Sequence, residues 1–305
     1  MANDILVVGS IALDSIKTPF SEVKEALGGS ATYSSYAASF FTGVRLVGVV
    51  GEDFPKEHVE LLSKRGIQTE GLQVTKGRTF RWQGSYEYDL NEAHTLATEL
   101  NVFETFRPQI PPAYQNSEYV FLANIDPDLQ LSVLDQVRQP KIVACDTMNL
   151  WIKIKPEALK KVIQRVQFLF INEGEARMFA NTSSLIRAGR QLQSWGPKYV
   201  IIKKGEHGAL MFGQNSFFAT PAFPLEEVYD PTGAGDTFAG GFMGYIAKQG
   251  GDISETTLRR AVVHGSVMAS FTVEKFSLDR LKTLTPEQLD GRVQMLKELS
   301  HFDHP

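Results

Sequence analysis

Residues 230–242 read Asp-Pro-Thr-Gly-Ala-Gly-Asp-Thr-Phe-Ala-Gly-Gly-Phe, and this run constrains the chain more than any other stretch. A proline-fixed turn leads into Gly233-Ala234-Gly235, whose small side chains let backbone N–H groups converge on one point. Thr237, Phe238, Phe242, Met243 and Ile246 then suggest a helix, so the glycine turn is expected at a helix N-terminus. Unpaired N–H groups and the positive end of the helix dipole favour an anion there. Asp236 is the odd residue, because a carboxylate repels an anionic ligand. Two readings fit it. Either it caps the helix above a tight turn, or it accepts the proton of an attacking hydroxyl. In the second reading the N–H groups of Gly233, Ala234 and Gly235 stabilise charge on a migrating phosphoryl group. Neither G-x-x-x-x-G-K-[ST] nor, after the first strand, G-x-G-x-x-G occurs, so a P-loop and a dinucleotide fold both fail on spacing.

Taken whole, the thirteen residues resemble the signature of the ribokinase family, the PfkB-type carbohydrate kinases, which includes nucleoside kinases. The resemblance implies an α/β fold: a doubly wound, mostly parallel sheet flanked by helices, with a small β-sheet lid. It also implies transfer of the ATP γ-phosphoryl group to an alcohol, with Asp236 as base, Gly233, Ala234 and Gly235 as anion hole, and Thr232 beside the ATP. Mg²⁺ is then held mainly by phosphates and water.

Elsewhere the residues carry less on their own and gain meaning from the resemblance. Ile5–Gly9 reads as a buried parallel strand, and Asp14 lies just beyond its carboxyl end, where α/β sheets bind ligands. A solvated loop carboxylate fits equally there; the family places an aspartate at this point to hold two sugar hydroxyls. Gly28 and Gly29 precede a small-residue helix, and the resemblance assigns them, with Ser30, to the acceptor. Many members carry an asparagine a few residues later, where this chain reads Thr32-Tyr33-Ser34. Between Leu72 and Asn101 the pattern alternates polar and apolar, as half-exposed antiparallel strands do. The resemblance makes segment 72–101 the family's lid, completed by segment 11–20, within a single domain spanning 1–305. Phe80, Trp82 and Tyr86 could stack on a substrate or pack within the lid or a lid–lid homodimer.

Asn172 and Glu175 lie three apart at a helix start and serve as caps in the plain reading. They also resemble the family's N-x-x-E motif, with Glu175 acting through water on Mg²⁺ and Asn172 near the phosphates. Lys203, Lys204 and Gly205 match the segment beside the ATP phosphates, and Lys204 and Gly205 join the expected binding set. Sugar-acid kinases of the family often show D-x-N-x-R where this chain has Asp146-Thr-Met-Asn149 without the arginine, which disfavours an acidic acceptor.

Composition narrows the partners. A net charge of −4 over 305 residues gives no footprint for nucleic acid. One cysteine, Cys145, excludes an internal disulfide and suits a reducing cytoplasm. The start lacks a signal-peptide pattern, and no apolar run approaches the roughly 20 residues of a membrane span. The expectation is a cytoplasmic kinase acting on a nucleoside, with a neutral sugar as the alternative acceptor. A non-catalytic nucleotide- or sugar-binding regulator is the alternative of another class.

Overall fold

Ile5–Val8 (β1) is apolar at every position because both of its faces are covered. Ile5 and Val7 point into one hydrophobic layer, while Leu6 and Val8 point into the other. The computed structural model describes residues 3–91, 93–214 and 216–301. After β1 come Ala12–Lys17 (β2), Glu22–Gly28 (β3), Val44–Gly51 (β4), Ile67–Thr75 (β5), Phe80–Tyr86 (β6) and Ala93–Glu99 (β7). Then follow Tyr119–Leu122 (β8), Ile142–Cys145 (β9), Phe168–Asn172 (β10), Tyr199–Lys203 (β11), Ala209–Phe212 (β12) and Phe217–Thr220 (β13).

Nine strands form one sheet in the order β13-β12-β11-β10-β9-β8-β1-β4-β5. From β11 to β5 all neighbours pair parallel, and at the edge β12 alone runs the other way, pairing antiparallel with both β11 and β13. Parallel pairing sends the carboxyl ends of β1, β8, β9, β10 and β11 to the same edge of the sheet, which is where α/β folds build their sites. The doubly wound architecture expected from the resemblance is the one observed. Among the described residues, no helix is long and apolar enough to cross a membrane.

A separate four-stranded sheet, β3-β2-β6-β7, forms the lid. It differs from the expected segments at two places. Leu72–Thr75 stay in β5 and pair with Gly48–Gly51 of the main sheet, because β5 runs on past the point where the alternation was read as a new sheet. The first lid segment does not stop near residue 20. It turns and returns as β3, antiparallel to β2, down to Gly28.

Two helices bring the halves of the site together. Ser30–Ala38 is buried along its whole length, and it packs against Ala234–Lys248. The approach is close enough that a Cβ on Gly240 would lie 2.2 Å from the Ser34 carbonyl oxygen. Ser34 Oγ donates to the Asp236 carbonyl oxygen at 3.1 Å, tying the start of one helix to the other.

Candidate active site

The turn before the helix Ala234–Lys248 is left-handed at Gly233, with φ 75°, a conformation that favours glycine. Space makes the same demand, since a Cβ there would sit 2.4 Å from the Tyr33 ring. Asp230 Oδ1 accepts from Thr232 N at 2.9 Å and braces the turn. The Ala234 N–H donates to the Pro231 carbonyl at 3.1 Å. Among the described residues, the N–H groups of Gly233, Gly235 and Asp236 have no such backbone acceptor. The free donors at this helix start therefore include the amide of Asp236 and exclude that of Ala234, a redistribution that follows from the tightness of the turn.

The Asp236 carboxyl lines a cavity of about 1090 Å³. Burial and the nearby Asp146 push its pKa up to about 7, against a smaller opposing pull from Lys203. Lys203 is the only lysine or arginine among the described residues lining this cavity. Its ammonium pairs with Asp146 Oδ2 at 2.5 Å, and it would meet a Cβ on Gly235 at 3.0 Å, so it sits over the free donors. Burial disfavours its charge, but Asp146 and Asp236 outweigh that, and its pKa lies above the ordinary lysine value. Lys204, the lysine expected at the phosphates, is half-buried and reaches back to the His207 carbonyl. The cavity-facing lysine is thus its neighbour, the last residue of β11. Gly205 does line the cavity, and the lid tip comes within reach of it at Asn91.

Asn172 and Glu175 are the helix caps that the plain reading foresees. They form a full capping box, with Glu175 N donating to Asn172 Oδ1 at 2.8 Å and Asn172 N to Glu175 Oε2 at 2.9 Å. Both also line the cavity. Burial, then Asp146, raise the Glu175 pKa to about 7. Among the described residues no cluster of three or more His, Cys, Asp or Glu side chains could hold a metal. Glu175, a single buried carboxyl on the cavity wall, fits the water-mediated contact to Mg²⁺ that the resemblance implies.

Where the resemblance expects the acceptor, Asp14 is buried and its carboxyl lies over Gly28, where a Cβ would overlap Oδ2 at 1.9 Å. Burial and Asp230 raise its pKa to about 8, against a bond from the Gly29 backbone. The Ser30 hydroxyl is occupied: it donates to the Asn124 carbonyl and accepts from Ser10 N. The parallel register of β2 and β6 sets Trp82 beside Asp14, on one face of the lid. Trp82 is half-buried and its ring lies along Gly84. Phe80 is engaged elsewhere, stacked on Phe103 with centroids 5.2 Å apart. Tyr86 reaches from the lid to Thr232, hydroxyl to hydroxyl at 3.0 Å. The buried Tyr33 hydroxyl and Asp230 Oδ2 have no partner in this arrangement.

Sequence reasoning passed over Asp146, Tyr33 and Asp230 as site residues. The signals for Asp146 were its place just past the end of β9, at the same sheet edge as Lys203 at the end of β11, and its position at the head of the D-x-N-like run Asp146-Thr-Met-Asn149.

Known proteins bear on this geometry. Residues 2–283 match the family model described as pfkB family carbohydrate kinase. A cytidine kinase from Thermococcus kodakarensis is 32% identical over 247 residues, covering 79% of this chain and 87% of that protein. In fold, the chain is similar to the nucleoside kinase of Methanocaldococcus jannaschii, with TM-score 0.78 and 23% identity over 96% of this chain and 98% of the other. It is also similar to a putative ribokinase II from E. coli solved with ATP and Mg²⁺, with TM-score 0.77, 17% identity and coverage of 96% and 99%. The chain belongs to the pfkB family of carbohydrate kinases and is a phosphotransferase acting on a hydroxyl group.

Proposed function

We propose that the chain transfers the γ-phosphoryl group of ATP to the primary hydroxyl of a nucleoside. The observation that carries this reading is the register of β2 and β6, which pairs Trp82 with the buried Asp14 on one face of the lid. A carboxyl suited to vicinal ribose hydroxyls with an aromatic side chain on the neighbouring strand is what a ribose with a base attached requires. The similarity to a cytidine kinase supports it, and so does the uncharged stretch Thr147-Met148-Asn149 after Asp146, which offers nothing to an acidic sugar.

In this reading the acceptor oxygen attacks the γ-phosphorus, the new P–O bond forms and the bond to the β-phosphate oxygen breaks, releasing ADP. The hydroxyl proton goes to Asp236, whose pKa near 7 suits a base at neutral pH. Charge on the migrating group is met by the N–H groups of Gly233, Gly235 and Asp236 and by Lys203. Asn172, Thr232 and Gly205 flank the ATP. Mg²⁺, when bound, neutralises phosphate charge, with Glu175 reached through water. The lid keeps water from the base.

The test is an ADP-release assay over cytidine, adenosine, inosine, ribose and fructose. Base stacking contributes about 1–3 kcal/mol, so at least one nucleoside should exceed ribose by roughly fivefold to a hundredfold in kcat/KM. Trp82→Ala should erase that advantage while Tm and the KM for ATP stay unchanged. Ribose or fructose turned over as well as every nucleoside overturns the reading in favour of a neutral sugar.

A further inference from the structure

The cavity has a wall that the phosphoryl chemistry leaves unused. It is built from the carboxyl ends of β8 and β9 and contributes Asn124, Thr147 and Met148. Asn124 is held at two points. Its backbone carbonyl accepts from Ser30 Oγ at 3.1 Å, and its Oδ1 accepts from the indole Nε1 of Trp151 at 3.0 Å. An indole N–H can only donate, so the amide oxygen must face Trp151 and the Nδ2 group is left pointing elsewhere. Among the described residues Nδ2 has no partner, and Asn124 is half-buried at the cavity. Next to it Thr147 is 5% exposed, and its hydroxyl also lacks a partner. Buried polar groups are normally paired, so an unpaired hydroxyl beside a fixed, unpaired amide points to a ligand that completes them. Across the cavity the lid tip presents Phe20 and Tyr88, edge to face at 6.2 Å and 61% and 80% exposed, two large rings with little protein over them.

From this juxtaposition we propose that the Asn124–Thr147 wall is the base-recognition subsite of the enzyme, and that it selects nucleosides whose base carries a keto oxygen. The inference rests on the nucleoside reading given above. With Oδ1 consumed by Trp151, Asn124 can donate to a base but cannot accept from one. A keto oxygen on hypoxanthine, cytosine or uracil offers it two lone pairs, whereas the exocyclic amine of adenine offers another donor and leaves the Asn124 amide unpaired. The Thr147 hydroxyl can donate or accept and so serves the neighbouring ring nitrogen in either protonation state. Met148 supplies an apolar surface, and the lid closes over the opposite face of the ring. Trp151 acts through Asn124 as a positioning residue, 27 positions away in sequence.

Inosine and adenosine provide the test, because they differ at the keto or amino position and little in size. The wild type should favour inosine in kcat/KM by about fivefold to a hundredfold, the cost of leaving a donor unpaired. Trp151→Phe keeps a large ring but removes the N–H that orients the amide, and should bring the inosine:adenosine ratio close to one. Asn124→Asp places an acceptor at the subsite and should invert the ratio. Each ratio is internal to one variant, so a general loss of activity does not move it, and Trp151→Phe carries the test if Asn124→Asp fails to fold. A wild-type ratio near one, or a ratio unmoved in the folded variants, overturns the subsite while leaving the nucleoside reading intact. Turnover of sugars alone overturns both.

Discussion

The Tyr86 hydroxyl on the lid lies 3.0 Å from Thr232 Oγ1, on the turn that carries the free N–H donors. This bond links the lid sheet to the turn before the helix Ala234–Lys248. Tyr86→Phe removes the link and keeps the ring. A hydrogen bond of this kind contributes about 0.5–1.5 kcal/mol net, so kcat/KM should fall roughly twofold to tenfold. Thr232→Val should give a similar loss, and the double variant little more than either single one. Fully additive losses would mean that the two hydroxyls act separately.

Asp236→Asn should keep ATP and acceptor affinity and lose about 10²–10⁴-fold in kcat, the usual cost of removing a general base. The carboxyl pKa near 7 also predicts a pH profile. In the wild type kcat/KM should fall as pH drops below about 7, since the protonated carboxyl cannot accept the substrate proton, and should level off above it. That acid limb should be absent from the residual rate of the variant. A variant within threefold of wild type would remove Asp236 from the reaction.

Asp14→Ala is expected to act on the acceptor alone. Losing hydrogen bonds from a charged or strongly polarised group costs roughly 1.5–3 kcal/mol, which should raise the acceptor KM about tenfold to a hundredfold. The KM for ATP should remain within twofold. Calorimetry that found ATP weakened and the acceptor unaffected would place Asp14 on the wrong side of the site.

Lys203→Met should weaken ATP and move the acid limb of the profile to higher pH, because Lys203 holds down the pKa of Asp236. It also strands the buried Asp146, a change that typically costs about 3–5 kcal/mol. Combining it with Asp146→Asn should restore the melting temperature but not the ATP affinity. Recovery of both would reduce Lys203 to a counter-ion.

Much of this site was legible because it is local. The run from Asp230 to Phe242 holds its turn, its donors and its carboxylate within thirteen residues. Asp14 sits past the end of a strand that reads as buried, but the resemblance rather than the strand marked it out from a solvated loop carboxylate. Lys203 and Lys204 were not separable, because neighbours at a strand end face opposite ways and only packing decides which meets the ligand. Phe80 and Trp82 share a face by alternation, yet Phe80 is taken up by Phe103, more than twenty positions on. β3 was missed because Glu22–Gly28 carries mostly exposed residues and shows no clean alternation. Asn124 depends on Trp151, a partner visible only once the chain is folded.

The contact between Gly240 and Ser34 has a mechanical consequence. Backbone against backbone at that distance leaves no side chains to slide, and the Ser34 bond to Asp236 locks the register. Asp236 and the helix that begins after Gly28 and Gly29 must therefore travel as one block, like two faces of the same die. Any opening and closing during turnover falls to the second sheet swinging about its four attachments, after Gly9-Ser10, before the helix at Ser30, between Thr75 and Phe80, and after Glu99. An open and a closed crystal form should then differ in the separation of Tyr86 and Thr232 and agree in that of Ser34 and Asp236.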